Sequence, residues 1–77
     1  MTEYENLKKS YIATIHLGLT MNANYDEVRH GNDVLHKFCE TLVEHSLYSE
    51  DDKRRMKNDL ELTKELLSQE IDTLFHK

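Results

Sequence analysis

No proline interrupts this chain, and glycine occurs only twice, at Gly18 and Gly31. Turn-rich β architectures use both residues to place their reversals. Their scarcity argues against a sandwich or barrel and for helices with short connections. The single cysteine, Cys39, excludes an internal disulfide. No apolar run approaches the ~20 residues needed to cross a bilayer. The opening MTEYENLKKS lacks the charged-then-apolar layout of a secretory signal. A cytoplasmic location without membrane contact is therefore the expectation. Basic residues number ten against fifteen acidic ones, for a formal net charge of −5, which disfavours attraction to phosphate backbones or anionic lipid. There is no Gly-rich phosphate loop, and no nucleophile in a recognisable setting. The chain is accordingly read as non-enzymatic, with no catalytic residue and no cofactor.

Seventy-seven residues make a single helical domain, 1–77. A chain this short buries only roughly 60–65% of its unfolded surface, so its core is marginal unless association helps.

The best-specified stretch runs from Ser49 to Lys77. Ser49 is a good N-cap for an amide three residues on, at Asp52, and Glu50, Asp51 and Asp52 place negative charge where the helix dipole favours it. Met56, Leu60, Thr63, Leu67, Ile71 and Leu74 then recur with a mean step of 3.6 residues, the period of a straight helix and not of a supercoiled seam. Glu50 with Arg54 and Asp51 with Arg55 have i,i+4 spacing in the favourable order. Leu62 and Leu66 lie about 120° and 80° to one side of this stripe, and Phe75 about 100° to the other. So wide an apolar arc exceeds what one ordinary surface helix buries.

Upstream, Tyr4, Leu7, Tyr11, Ile15 and Gly18 form a helical stripe, widened by Ile12 and Leu19. Alternation over Tyr11, Ala13, Ile15, Leu17 and Leu19 also fits a strand, but no second strand-like run exists to pair with it. Met21–Asn24 reads as a connection, and Asn24 with Glu27 as a second capping box. The second helix is expected to turn Val28, Gly31, Leu35, Phe38, Cys39 and Leu42 inward, with Val34 and Val43 on its shoulders. Gly31-Asn32-Asp33 interrupts the pattern, so a start near Asn32 is the alternative.

Three patterns invite chemistry. Glu27 and His30 have the E-x-x-H spacing of di-iron carboxylate bundles, but one copy supplies too few ligands, and a cap residue beside a boundary histidine is the simpler reading. His36 and Cys39 form an H-x-x-C pair, and His36, Glu40 and Glu44 form an i, i+4, i+8 ridge. Cys39 points away from His36, so it reads as a small buried hydrophobe and the ridge as a solvated face. Lys53, Arg54, Arg55 and Lys57 are the only basic cluster, preceded by three acids that can neutralise it, so direct nucleic-acid binding is disfavoured. Conversely, Glu40, Glu44, Glu61, Glu65, Glu70 and Asp72 could make an acidic face that occupies a partner's basic groove. Five histidines also make the charge sensitive to mild acid.

These observations predict an all-α fold. Its form is a small three-helix up-down bundle, or a helical hairpin with an extra N-terminal helix, that self-associates. The helices span about Thr2–Thr20, Asp26–Leu47 and Glu50–His76. The expected role is a protein–protein interaction or regulatory module, a homodimer or a docking unit for a larger protein. Leu62, Leu66, Phe75, Tyr48 and Leu17 are the expected contacts. An acidic groove-occupying inhibitor and a metal-binding bundle using Glu27 and His30 are the alternatives.

Overall fold

Asn24 Oδ1 accepts a hydrogen bond from the Glu27 amide at 2.8 Å, and Ser49 Oγ accepts one from the Asp52 amide at 3.2 Å. These two N-caps open the second and third helices of the computed structural model, which describes residues 2–76. The helices are α1 (Thr2–Thr20), α2 (Tyr25–Glu44) and α3 (Glu50–Phe75). Both caps are those expected, and α1 is helical throughout, which disposes of the strand reading of Tyr11–Leu19. Among the described residues there is no strand.

Cross-helix pairs establish the topology. Lys8 meets Asp59 and His16 meets Glu70, so α1 runs parallel to α3. Arg29 meets Asp72 and Lys57 meets Glu44, so α2 runs antiparallel to α3. The result is an up-down-up bundle of 42 × 17 × 17 Å, its length close to the ~39 Å rise of a 26-residue helix such as α3. Helices α2 and α3 form the most extensive pairing, and α1 leans on α2 more than on α3.

The core takes Tyr11 and Ile15 from α1, Val28, Cys39 and Val43 from α2, and Met56, Leu60, Leu67 and Ile71 from α3. The α3 stripe is the expected one as far as Ile71; Leu74, in the last turn, is largely exposed.

The inward face of α2 differs from expectation. It is Val28, Asn32, His36, Cys39 and Val43, while Phe38 is 56% exposed and Val34 and Leu42 also face outward. The physical reason is that Asn32 finds partners on both other helices. Tyr11 Oη donates to Asn32 Oδ1, and Asn32 Nδ2 donates to Lys64 O at 3.2 Å and Ser68 Oγ at 3.1 Å. A fully paired polar group is compatible with burial, and its position rotates α2 so that the more apolar flank turns out. Gly31 does not break α2, since tertiary packing supplies most of a helix's stability.

Two helix ends carry identifiable stops. After α1, Asn22 takes φ 62°; its amide bonds Leu19 O at 3.4 Å and the Ala23 amide bonds Gly18 O at 3.1 Å, a Schellman motif with asparagine in the left-handed position. Helix α2 ends at Glu44, three residues earlier than expected, where Lys53 Nζ donates to Glu44 O at 2.9 Å. In the first turns of α3 the ion pairs form at i,i+3, Glu50–Lys53 and Asp51–Arg54, and not with the expected i,i+4 partners.

Candidate functional site

Because α1 packs mainly on α2, a groove opens between α1 and α3. Ile12 forms one wall; Leu62 and Leu66 form the other, with Thr63 and Leu67 at the base. Leu62 is 58% and Leu66 56% exposed. Two bridges span the groove and bracket this apolar section. Lys8 Nζ lies 3.0 Å from Asp59 Oδ2, and His16 Nε2 lies 3.1 Å from Glu70 Oε1. Beyond the first bridge the depression continues between Tyr4 and Lys9 on α1 and Arg55 and Met56 on α3.

The expected contact residues do not converge on one surface. Leu62 and Leu66 share the groove. Phe75 stacks edge-on against Tyr25, with ring centroids 5.5 Å apart, at the end where α2 begins. Tyr48 is half-buried in a separate cleft with Glu3, Leu7 and Leu42. Leu17 is exposed on α1. Val34, Phe38 and Leu42, an i, i+4, i+8 strip on α2, form an exposed apolar surface that periodicity placed in or beside the core. The wide apolar arc of α2 was the available signal, but hydropathy alone oriented it wrongly.

Polar networks tie the helices together at the groove's edges. Tyr4 Oη donates to Asp59 Oδ2 at 2.6 Å. Burial, then the hydrogen bond to Asp59, pushes the Tyr4 phenol above its usual range. The hydrogen bond from Tyr4, and then that from Lys8, holds the Asp59 carboxyl below its ordinary value. At the other end of the bundle, Tyr25 Oη and Arg29 Nη1 both donate to Asp72 Oδ1, at 2.7 and 3.0 Å, and the Tyr25 bond is the main cause of that carboxyl's lowered pKa.

The ridge of His36, Glu40 and Glu44 is not a uniformly solvated face. His36 is 7% exposed and packs toward α3. Its Nε2 lies 3.2 Å from Glu61 Oε2 but off the hydrogen-bonding line, leaving that buried nitrogen without a hydrogen-bond partner among the described residues. Glu40 is half-buried beside it, whereas Glu44 is engaged by Lys57. Cys39 is buried as expected, and burial pushes its thiol pKa up. Glu27 serves the cap: Asn24 Nδ2 donates to its Oε1 at 2.8 Å, and His30 is exposed. Neither belongs to the one convergent group of potential ligands among the described residues, which is His36, Glu40 and Glu61. In the basic cluster, Lys53, Arg54 and Lys57 are each paired with an acid. Among the described residues, no helix is long and apolar enough to cross a membrane.

No family model, no curated protein and no solved structure matches the chain. Its functional reading therefore rests on its own geometry.

Proposed function

We propose that this chain is a non-enzymatic, cytoplasmic protein–protein interaction module that docks through the α1–α3 groove, pairing with a second copy of itself or seating on a larger protein. The observation that carries the reading is the exposure of Leu62 and Leu66 opposite Ile12, in a groove bridged at one end by Lys8 and Asp59 and at the other by His16 and Glu70. An apolar centre with a polar rim is the general anatomy of a specific interface. A standard interface buries about 800 Å² per partner, a modest fraction of the 5414 Å² surface of this chain. Covering the groove would also supply the apolar burial that so small a core lacks. An acidic groove-occupying role draws less support, because Glu44, Glu70 and Asp72 of that face are each paired with a base or histidine on a neighbouring helix.

Sedimentation equilibrium on the wild type and on the Leu62→Asp/Leu66→Asp double variant tests the proposal. The expected result is a dimer that the double substitution converts to a folded monomer. A dimer unaffected by the substitutions sinks the groove as the interface. A wild type that stays monomeric at all concentrations removes self-pairing and leaves the larger partner.

A further inference from the structure

On the opposite side of α3, where it meets α2, a ring nitrogen of His36 and a carboxylate oxygen from each of Glu40 and Glu61 all lie within 4.8 Å of one another. We propose that these three side chains bind one divalent first-row transition-metal ion, of the chemistry represented by Zn²⁺, and so join α2 to α3.

The buried imidazole is the starting point. Among the described residues its Nε2 has no hydrogen-bond partner, and a buried polar atom left unpaired is costly enough that native structures rarely keep one. A coordinated ion satisfies it. The Glu61 oxygen sits 3.2 Å from Nε2 yet out of line for an N–H donor. Two ligands bound to one zinc ion at about 2.0–2.2 Å in tetrahedral geometry stand about 3.3–3.6 Å apart, so the observed 3.2 Å needs only a small opening to admit a shared third atom. Glu40 lies one helical turn from His36 on the same face and forms no hydrogen bond or ion pair among the described residues. At 4.8 Å or less from the other two ligand atoms, its carboxylate has at most about 1.5 Å to close.

The surrounding charges favour the same outcome. Lys57 is close enough to feel Glu40, but its ammonium group is engaged by Glu44, leaving the Glu40 and Glu61 charges to the site. One neutral imidazole and two carboxylates balance a 2+ ion. This nitrogen-and-oxygen set suits zinc, iron(II) or manganese(II) better than soft copper(I), which prefers sulfur. The Glu61 side chain is 59% exposed, so water can complete the coordination. The site is distinct from the α1–α3 groove and does not depend on the docking proposal.

The test uses the full chain stripped with EDTA and titrated with Zn²⁺ by calorimetry, with Co²⁺ absorption as a coordination signature and histidine ¹⁵N shifts as an atom-level readout. One ion per chain is expected, with a shift at His36 Nε2. The Glu40→Gln and Glu61→Gln variants, whose side chains reach solvent, are expected to fold and to bind about tenfold or more weakly. Glu27→Gln/His30→Ala is expected to bind as the wild type does. The proposal is overturned by no binding up to about 1 mM Zn²⁺, a dissociation constant expected of nonspecific contact. Binding undiminished in the Glu40→Gln/Glu61→Gln double variant overturns it as well, as does a ¹⁵N shift at other histidines with none at His36.

Discussion

The Tyr11 hydroxyl donates to the Asn32 side-chain oxygen at the centre of the bundle, and the Asn32 amide group in turn donates to Lys64 O and Ser68 Oγ. One buried side chain thus joins all three helices. Breaking one partner of a buried polar pair costs more than removing both, because the survivor stays desolvated and unpaired. Asn32→Ala is therefore expected to destabilise the fold by about 2–3 kcal/mol, lowering Tm by roughly 10–20 °C for a domain of this size. Tyr11→Phe should cost about 1–2 kcal/mol. Urea denaturation of the single variants and of Tyr11→Phe/Asn32→Ala checks this. The double variant should lose less than the sum of the two single losses, and simple additivity would show that the pair is not coupled.

The Tyr4–Asp59–Lys8 cluster makes stability depend on pH at both extremes. The Asp59 carboxyl is held below its ordinary 3.8 by the hydrogen bonds from Tyr4 and Lys8. It therefore contributes stability that is present above that value and is lost as pH falls through the lowered one. With the Asp59 side chain 38% exposed, solvent screening keeps this contribution to about 1 kcal/mol or less. The Tyr4 phenol is raised above its ordinary 10.0, chiefly by burial. Its contribution is complete below pH 10 and is lost as pH rises toward the raised value. Thermal unfolding between pH 2 and 11 should show a plateau with both limbs falling. Asp59→Asn should flatten the acid limb below pH 4, and Tyr4→Phe should reduce the alkaline one. The buried Tyr11 phenol, raised in the same way, keeps part of the alkaline limb in place.

Two backbone positions leave stability to be gained. Asn22 holds φ 62° at the end of α1, a conformation that glycine adopts without strain. A Cβ added at Gly31, inside α2, would meet nothing within 4 Å among the described residues beyond its chain neighbours and the adjacent turns of its own helix backbone, so alanine there gains helix propensity without a clash. Asn22→Gly should stabilise by about 0.5 kcal/mol and Gly31→Ala by about 0.5–1 kcal/mol. Combined, they should raise Tm by roughly 4–10 °C, as calorimetry would show. Gly31 lines a cleft between α1 and α2 with Ile15, Gly18 and Ala23, and a lower Tm for Gly31→Ala would mean that this cleft closes more tightly than this geometry allows.

What was legible in the sequence was what depends on near neighbours. Ser49 and Asp52, or Asn24 and Glu27, are three residues apart, so each cap could be read from its own few residues. The α3 stripe was legible because its inward positions are apolar apart from Thr63. Helix α2 was not, because its orientation is decided by Asn32 bonding to Tyr11, 21 residues away, and to Ser68, 36 residues away. No local pattern carries such pairings. Leu62 and Leu66 could be picked out as surplus apolar surface, but the stand-off of α1 from α3, which leaves them open, is a property of the packed bundle. The meeting of His36 with Glu61 was hidden for the same reason: one lies on α2, the other on α3, and neither is unusual in its own helix.

The orientation of α2 can be tested directly at Phe38. A phenylalanine packed in a core loses about 3–5 kcal/mol on truncation, enough to unfold a small domain outright. Phe38 is instead 56% exposed, whereas Val43, five residues on, is 2% exposed. Phe38→Ser is therefore expected to cost less than about 1 kcal/mol, in the range of ordinary surface substitutions. Val43→Ala should cost more, about 1–3 kcal/mol, despite removing far fewer atoms, because it opens a cavity between α2 and its neighbours. Chemical denaturation of the two variants side by side distinguishes the arrangements. If Phe38→Ser is the more damaging, α2 is turned with its hydropathic stripe inward, and the core positions of Asn32 and His36 fall with it.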